Sequence, residues 1–248
     1  MSRPTLPPGE RILQWLQAVA DERARRQAEP ALGAAVRALK AYQQRRFAHT
    51  YRDLLADPRY APAARYFLDE LYGPSDFTRR DDQFARIVPA MTRLFPEDIV
   101  ATVATLAELH ALSERLDSQM ARQWLAGDAS AGAVLDPPTY QRAWQACGEP
   151  EARERQIALT LQVGETLDRL TRKRLLRQSL RMMRGPAAAA GLSDLQRFLE
   201  AGFDTFRAMN GAEDFLREVG ARERRLARSL FDASALPPDA LPAADGRG

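Results

Sequence analysis

Cysteine is nearly absent from this chain of 248 residues: Cys147 stands alone, which excludes an intrachain disulfide. Together with the lack of a secretory leader, that leads us to expect a cytoplasmic protein. Lysine is almost as rare, since all but two of the 36 basic residues, Lys40 and Lys173, are arginine. With so much alanine, this bias reflects GC-rich coding more than nucleic-acid binding, so nucleic acid is not an expected partner. No apolar run approaches the ~18 residues of a membrane-spanning helix. Histidine occurs twice, as His49 and His110. Neither follows a glutamate at the Glu-x-x-His spacing of a di-iron bundle, so no metal site is expected. A lone histidine on an apolar face is an ordinary core residue, and no haem or other cofactor is expected either. Gly-rich phosphate loops, Walker patterns and G-x-S-x-G elbows are missing, and with them the commonest nucleotide and hydrolase signatures.

What is present is helical periodicity. Strand alternation and Val, Ile or Thr runs are scarce, while alanine and leucine are abundant. We expect an all-α fold: a single multi-helix bundle of about eight helices over residues 9–232, a loose Pro-rich segment over 1–8 and a disordered, low-complexity tail over 233–248. The pattern predicts helices at about 9–27, 31–56, 62–72, 75–94, 96–124, 139–146, 151–183, 193–209 and 212–232. Residues 127–138 read as a loop. Gly185-Pro186 is expected to stop the long helix, and Asn210-Gly211 to make a turn.

The stretch from Tyr66 to Asp82 is the most informative. Leu71 and Tyr72 end a helix, Gly73 suits a left-handed C-terminus, and Pro74 cannot continue. Ser75 or Asp76 then offers an N-cap. In the following helix Phe84, Ile87, Val88, Met91, Leu94 and Phe95 share a face. Arg80 and Asp81 project from that apolar side, where charges need partners. The next helix supplies them. Its inner arc carries Ile99, Val103, Leu106, Leu109, Leu112, Leu116 and Met120, and on the same arc His110, Ser113, Glu114 and Asp117. Ala101, Ala104, Glu108 and Ala111 fall on what reads as the outer face. We therefore expect Arg80, Asp81, His110, Glu114 and Asp117 to share a partly buried polar network. Three roles fit it: an ion-pair network that fixes helix docking, a ligand pocket, or an acid–base centre with His110 as base and Glu114 or Asp117 orienting it. No nucleophile or oxyanion arrangement accompanies the cluster, and no residue is assigned as catalytic.

The run Tyr66-Phe67, Leu71-Tyr72-Gly73-Pro74, Asp76-Phe77, Arg80-Asp81, followed by Pro89 and Glu108-Leu109-His110-Ala111-Leu112-Ser113, resembles a family of uncharacterised bacterial all-helical proteins with an FLxELYGPxDFxxRD-type motif. The resemblance extends over most of the chain. It implies the helical fold and carries over no activity and no catalytic residue.

A second feature is the segment Arg169–Arg184, with seven bases and no acid. Arg172, Lys173, Arg174, Arg177, Arg181 and Arg184 are the candidate anion-binding residues. Leu175, Leu176, Leu180, Met182 and Met183 occupy the opposite arc. Such a helix fits either a solvated basic face or an anionic surface; the aromatic interleaving of a base-stacking platform is missing. The expected function is that of a non-catalytic binding or regulatory module acting through a protein partner or a small ligand. The alternatives are an enzyme or ligand-binding protein using His110, Glu114 and Asp117, and a protein that binds anionic surfaces through residues 169–184.

Overall fold

Proline sets where several helices begin, because the first turn needs no N–H donor and tolerates a fixed φ. In the computed structural model, which describes residues 6–70, 78–127, 135–232 and 240–242, Pro8, Pro30, Pro137 and Pro150 each open a helix. The side chains of Glu70, Leu94 and Arg174 are outside that description. So are the Gly73-Pro74 break, the Ser75 and Asp76 caps and most of the 127–138 loop.

The described residues form α1 (Pro8–Ala28), α2 (Pro30–Thr50), α3 (Arg52–Ala56), α4 (Ala61–Glu70), α5 (Thr78–Leu94), α6 (Glu97–Gly127), α7 (Pro137–Cys147), α8 (Pro150–Thr171), α9 (Arg174–Met182), α10 (Arg184–Ala189), α11 (Ser193–Met209) and α12 (Glu213–Phe231). The all-α class holds, and no strand occurs among the described residues. The expected number, about eight, is too low because two long helices are interrupted. Tyr51 leaves helical geometry (φ −113°, ψ 23°), separating α2 from α3, and its hydroxyl donates to Glu223 at 2.7 Å. The expected helix over 151–183 ends at Thr171, where Lys173 is extended (φ −82°, ψ 97°). Gly185-Pro186 does not stop a helix either: it lies in the first turn of α10, where proline costs little. Asn210 and Gly211 make the expected turn with φ of 52° and 108°.

Caps come from the chain and from neighbours. Asp136 accepts from the Thr139 N–H at 2.8 Å to open α7, and left-handed Gly148 closes it. At α11 no side chain of the helix caps its start; buried Gln83 of α5 accepts from the Leu195 N–H at 3.0 Å and donates to Asp194 at 3.0 Å.

α6 is the axis of the bundle and packs against α1, α2, α5, α7 and α8. The face expected to be outer is in part interior: Ala104 and Ala111 are buried, because their small side chains let a neighbouring helix approach. Three hydrophobic clusters surround it. Ile12, Leu16, Val88, Met91 and Val100 join α1, α5 and α6. Leu32, Leu39, Tyr42, Met120, Tyr140 and Leu230 join α2, α6, α7 and α12. Phe47, Tyr51, Phe67, Phe206 and Phe215 join α2, α4, α11 and α12. Within the segment expected to be disordered, Leu241 is buried in the second cluster, and the Pro242 carbonyl accepts from the Tyr42 hydroxyl at 3.2 Å. Cys147 is buried, and burial pushes its thiol up to about 11.

α8 and α12 approach closely through reciprocal glycines. A Cβ on Gly164 would sit 2.5 Å from Leu216 Cδ2, and one on Gly220 2.8 Å from Leu161 Cδ1. Gly164→Val is therefore expected to lower stability by about 1–3 kcal/mol through overpacking. Gly185→Ala meets nothing within 4 Å and is expected to raise it by about 0.4–1 kcal/mol through the unfolded chain. Urea denaturation of the two variants checks the opposite signs.

Candidate functional site

The inner arc of α6 places His110, Ser113, Glu114 and Asp117 within two turns. Facing helices meet each of them. Asp81, in the first turn of α5, contacts His110 Nε2 through Oδ2 at 2.8 Å. Arg23 of α1 donates to the same Asp81 oxygen at 2.6 Å and lies 3.4 Å from His110 Nε2. Burial alone raises the Asp81 pKa, but the hydrogen bonds and charges of His110 and Arg23 outweigh it and hold the group below its ordinary value. With Asp81 accepting from Nε2–H, the Nδ1 of His110 is left as the acceptor.

One turn on, Glu114 is buried between two cations. Arg26 of α1 pairs with one carboxylate oxygen and donates to the Glu114 carbonyl at 2.5 Å, while its Nε donates to Ser118 at 2.9 Å. Lys40 of α2 donates to the other oxygen at 2.5 Å. Burial raises the pKa of Glu114; Lys40 and Arg26 reverse this and hold it at about 2. Asp117 behaves oppositely. It accepts from Gln43 at 3.1 Å and stands 4.0 Å from Lys40, but burial and then the Glu114 charge push its pKa up, toward the protonated form.

The five expected residues are thus joined largely through others. Asp81 and His110 bond directly, and Arg80 Nε stands 3.7 Å from Asp81 while its guanidinium lies 4.4 Å from the centre of the Phe198 ring. His110 makes no hydrogen bond to Glu114 or Asp117. Arg23, Arg26, Lys40 and Gln43 complete the cluster, and none was among the candidates. Their signal is periodic: Arg23 and Arg26 continue the Ile12, Leu16, Val19 stripe of α1, and Gln43 and Arg46 continue Val36 and Leu39 on α2. Charges that continue an apolar stripe belong to the interior.

A cavity of about 160 Å³ opens beside this cluster. Its polar wall includes Lys40, Gln43, Asp81, His110, Glu114, Asp117, Arg153 and Gln156, and its apolar wall Phe67, Phe84, Val103, Leu106, Phe198 and Leu199. Gln156 of α8 ties α8 to α6 on the polar wall, donating to Ser113 at 2.8 Å and accepting from Arg153 at 3.1 Å. Glu223 of α12 pairs with Arg46 at 2.5 Å on the far rim. Among the described residues no group of three or more His, Cys, Asp or Glu is placed to hold a metal ion, and no helix is long and apolar enough to cross a membrane.

The basic segment lies elsewhere and is substantially neutralised. Arg172 pairs with Asp168 at 2.6 Å, Lys173 with Asp98 at 3.1 Å, Arg177 with Asp204 at 2.5 Å and Arg184 with Glu200 at 2.5 Å. Arg181 is exposed, and the Arg174 side chain lies outside the described residues. Leu175 and Met182, expected on the arc opposite the bases, are 77% and 71% exposed, since the break after Thr171 separates α9 from α8.

The family model for a domain of unknown function (DUF8198) matches residues 22–237, and the chain belongs to that family. No curated protein and no solved structure gives a significant match.

The depressed pKa of Glu114 is a stability statement. Its folded value lies below the unfolded one, so the stabilisation is present above about 4.5 and is lost as pH falls toward 2. Glu114→Gln is expected to cost roughly 3 kcal/mol at pH 7. The gap to wild type should narrow between pH 4.5 and 2. Because the Glu114 charge is one of the causes that raise the Asp117 pKa, its removal also eases ionisation of Asp117 and makes the gap smaller than the Glu114 shift alone would give. Denaturant melts across that range check it; a gap independent of pH would contradict it.

Proposed function

We propose that this DUF8198 protein is a non-catalytic binding module that takes a small ligand into the cavity beside His110. The observation that carries this reading is the mixed wall of that cavity. Protein interiors are close-packed, and cavities that stay empty are apolar. A cavity of about 160 Å³ with charged groups on one side and phenylalanines on the other is instead suited to a molecule with an apolar body and a polar end. The volume is close to the ~150 Å³ of an engineered cavity that takes benzene, so the fit is to a single ring or a branched chain of similar size, not to a tetrapyrrole.

In this reading the ion pairs have two tasks. Arg26, Lys40 and Glu114 dock α1 and α2 onto α6. Asp81 and Arg23 orient His110, whose free Nδ1 can accept a hydrogen bond from a ligand. The Asp81–His110 pair is also the one observation that favours an enzyme, because a carboxylate that fixes a histidine tautomer prepares a general base. Among the described residues no nucleophile is bonded to it: Ser113, one turn along the stripe, accepts from Gln156 and makes no bond to His110.

Benzamide, with one ring and an uncharged polar head, tests the pocket. At ten times its Kd it should add about 1.4 kcal/mol, or roughly 3–5 °C in Tm. Thr160→Phe, which places a ring into the lining, should abolish the shift while leaving the fold intact by circular dichroism. No rise in wild type with either benzamide or benzoate up to the solubility limit, or an equal rise in Thr160→Phe, would sink the reading.

A further inference from the structure

Four cations, Lys40, Arg46, Arg80 and Arg153, and four acids, Asp81, Glu114, Asp117 and Glu223, line the cavity, and Arg23 and Arg26 reach Asp81 and Glu114 from outside the lining. The acids are engaged as described above, Asp81 by Arg23, Glu114 by Arg26 and Lys40, and Glu223 by Arg46.

Arg153 stands apart from this pairing. It is 4% exposed and lines the cavity from α8. Its contacts are all neutral: it donates to Gln156 Oε1 at 3.1 Å and to Met120 Sδ at 3.8 Å, and lies 4.0 Å from the Trp144 ring centre. Among the described residues no carboxylate oxygen comes within 4 Å of its guanidinium. Two acids feel its charge, but neither contacts it: Asp117 accepts from Gln43 at 3.1 Å and stands 4.0 Å from Lys40, and both oxygens of Glu149 are taken by Arg115 at 2.8 and 2.7 Å. Trp144, on the same wall, has a buried Nε1 donor with no acceptor.

An arginine has five donors and cannot shed its charge in a protein. Burying one without a counter-anion is costly, and the cost is removed when an anion arrives. We infer that the ligand of the cavity is a small carboxylate with an aromatic or branched apolar body, whose carboxylate is held by Arg153 and whose body lies against the phenylalanine wall. This rests on the cavity being the ligand site and adds the chemical class. A planar carboxylate suits the cavity better than a larger tetrahedral anion, because the guanidinium can bind it with two parallel N–H bonds, and because about 160 Å³ leaves room for little beyond one ring and one planar head.

Benzoate and benzamide separate the two ideas, since they differ in charge and hardly in shape. Isothermal titration of the full chain at pH 7 is expected to give benzoate at least tenfold tighter binding than benzamide. In Arg153→Met that preference should vanish, benzoate falling to the affinity of benzamide for the same variant. The variant is expected to fold, because truncating Arg153 leaves no carboxylate unpaired. The wild-type comparison needs no variant in any case. Benzamide binding with no benzoate preference, or a preference that survives in Arg153→Met, overturns the carboxylate assignment and leaves the cavity as a ligand site. Failure of both molecules to bind removes the ligand site and the assignment with it. Benzoate that binds Thr160→Phe as tightly as wild type overturns the assignment as well, because the anion would then be held outside the cavity.

Discussion

Glu114 is 4% exposed at the centre of a helical bundle, and the arrangement of the surrounding helices follows from what that requires. An isolated carboxylate in such a place would be protonated or expelled. It stays charged because Arg26 on α1 and Lys40 on α2 reach it from two directions. Each contact can form in one helix register only: sliding α1 by a turn would carry Arg26 about 5.4 Å away and strand the acid. A hydrophobic seam tolerates such a slide far better, because apolar contacts are non-directional. Buried ion pairs add little net stability compared with well-packed hydrophobic residues, so what this one supplies is the choice of register for α1 and α2 against α6.

That choice has a consequence for packing. Side chains held by fork-like hydrogen bonds cannot relax to fill space as leucine does, and where the polar stripe of α6 meets the aromatic side chains of α4, α5 and α11 the interior is left open. The cavity therefore lies on the boundary between an over-determined polar cluster and a hydrophobic wall, with members of all three hydrophobic clusters at its edge. A rigid first wall and an apolar second one are what a preformed binding site needs, since little ordering entropy remains to be lost on binding.

The helices were largely legible because their apolar residues recur at 3.6, and the stripe His110, Glu114, Asp117 was legible for the same reason. The cations that meet it were legible only as an anomaly: Arg23 and Arg26 extend an apolar stripe, yet arginine is so common here that one more carries little information. Arg153 was beyond reach. Its neighbours in the chain are Glu151, Glu154 and Arg155, which read as a solvated helix start, and only the packing of α8 on α6 turns it inward. The break after Thr171 was equally invisible, because Leu170, Leu175, Leu176 and Leu180 keep an apolar rhythm through it. It is made by tertiary partners: Asp168 accepts from the Ala212 N–H at 3.0 Å at the start of α12, and Lys173 turns to Asp98 on α6.

The contrast between Arg153 and the basic segment shows why charge density alone is a poor guide to a site. Residues 169–184 concentrate seven bases, but the four pairs to Asp168, Asp98, Asp204 and Glu200 are exposed on at least one side. Exposed pairs contribute about 0–1 kcal/mol each and are screened by salt. Water already solvates such bases, so an anion arriving there gains little over what it leaves. At Arg153 the desolvation cost has been met by folding, no counter-anion is supplied by the described residues, and screening does not reach. One buried arginine with no carboxylate within 4 Å among the described residues is therefore a stronger pointer to an anionic ligand than the five exposed bases of that segment, Arg169, Arg172, Lys173, Arg181 and Arg184.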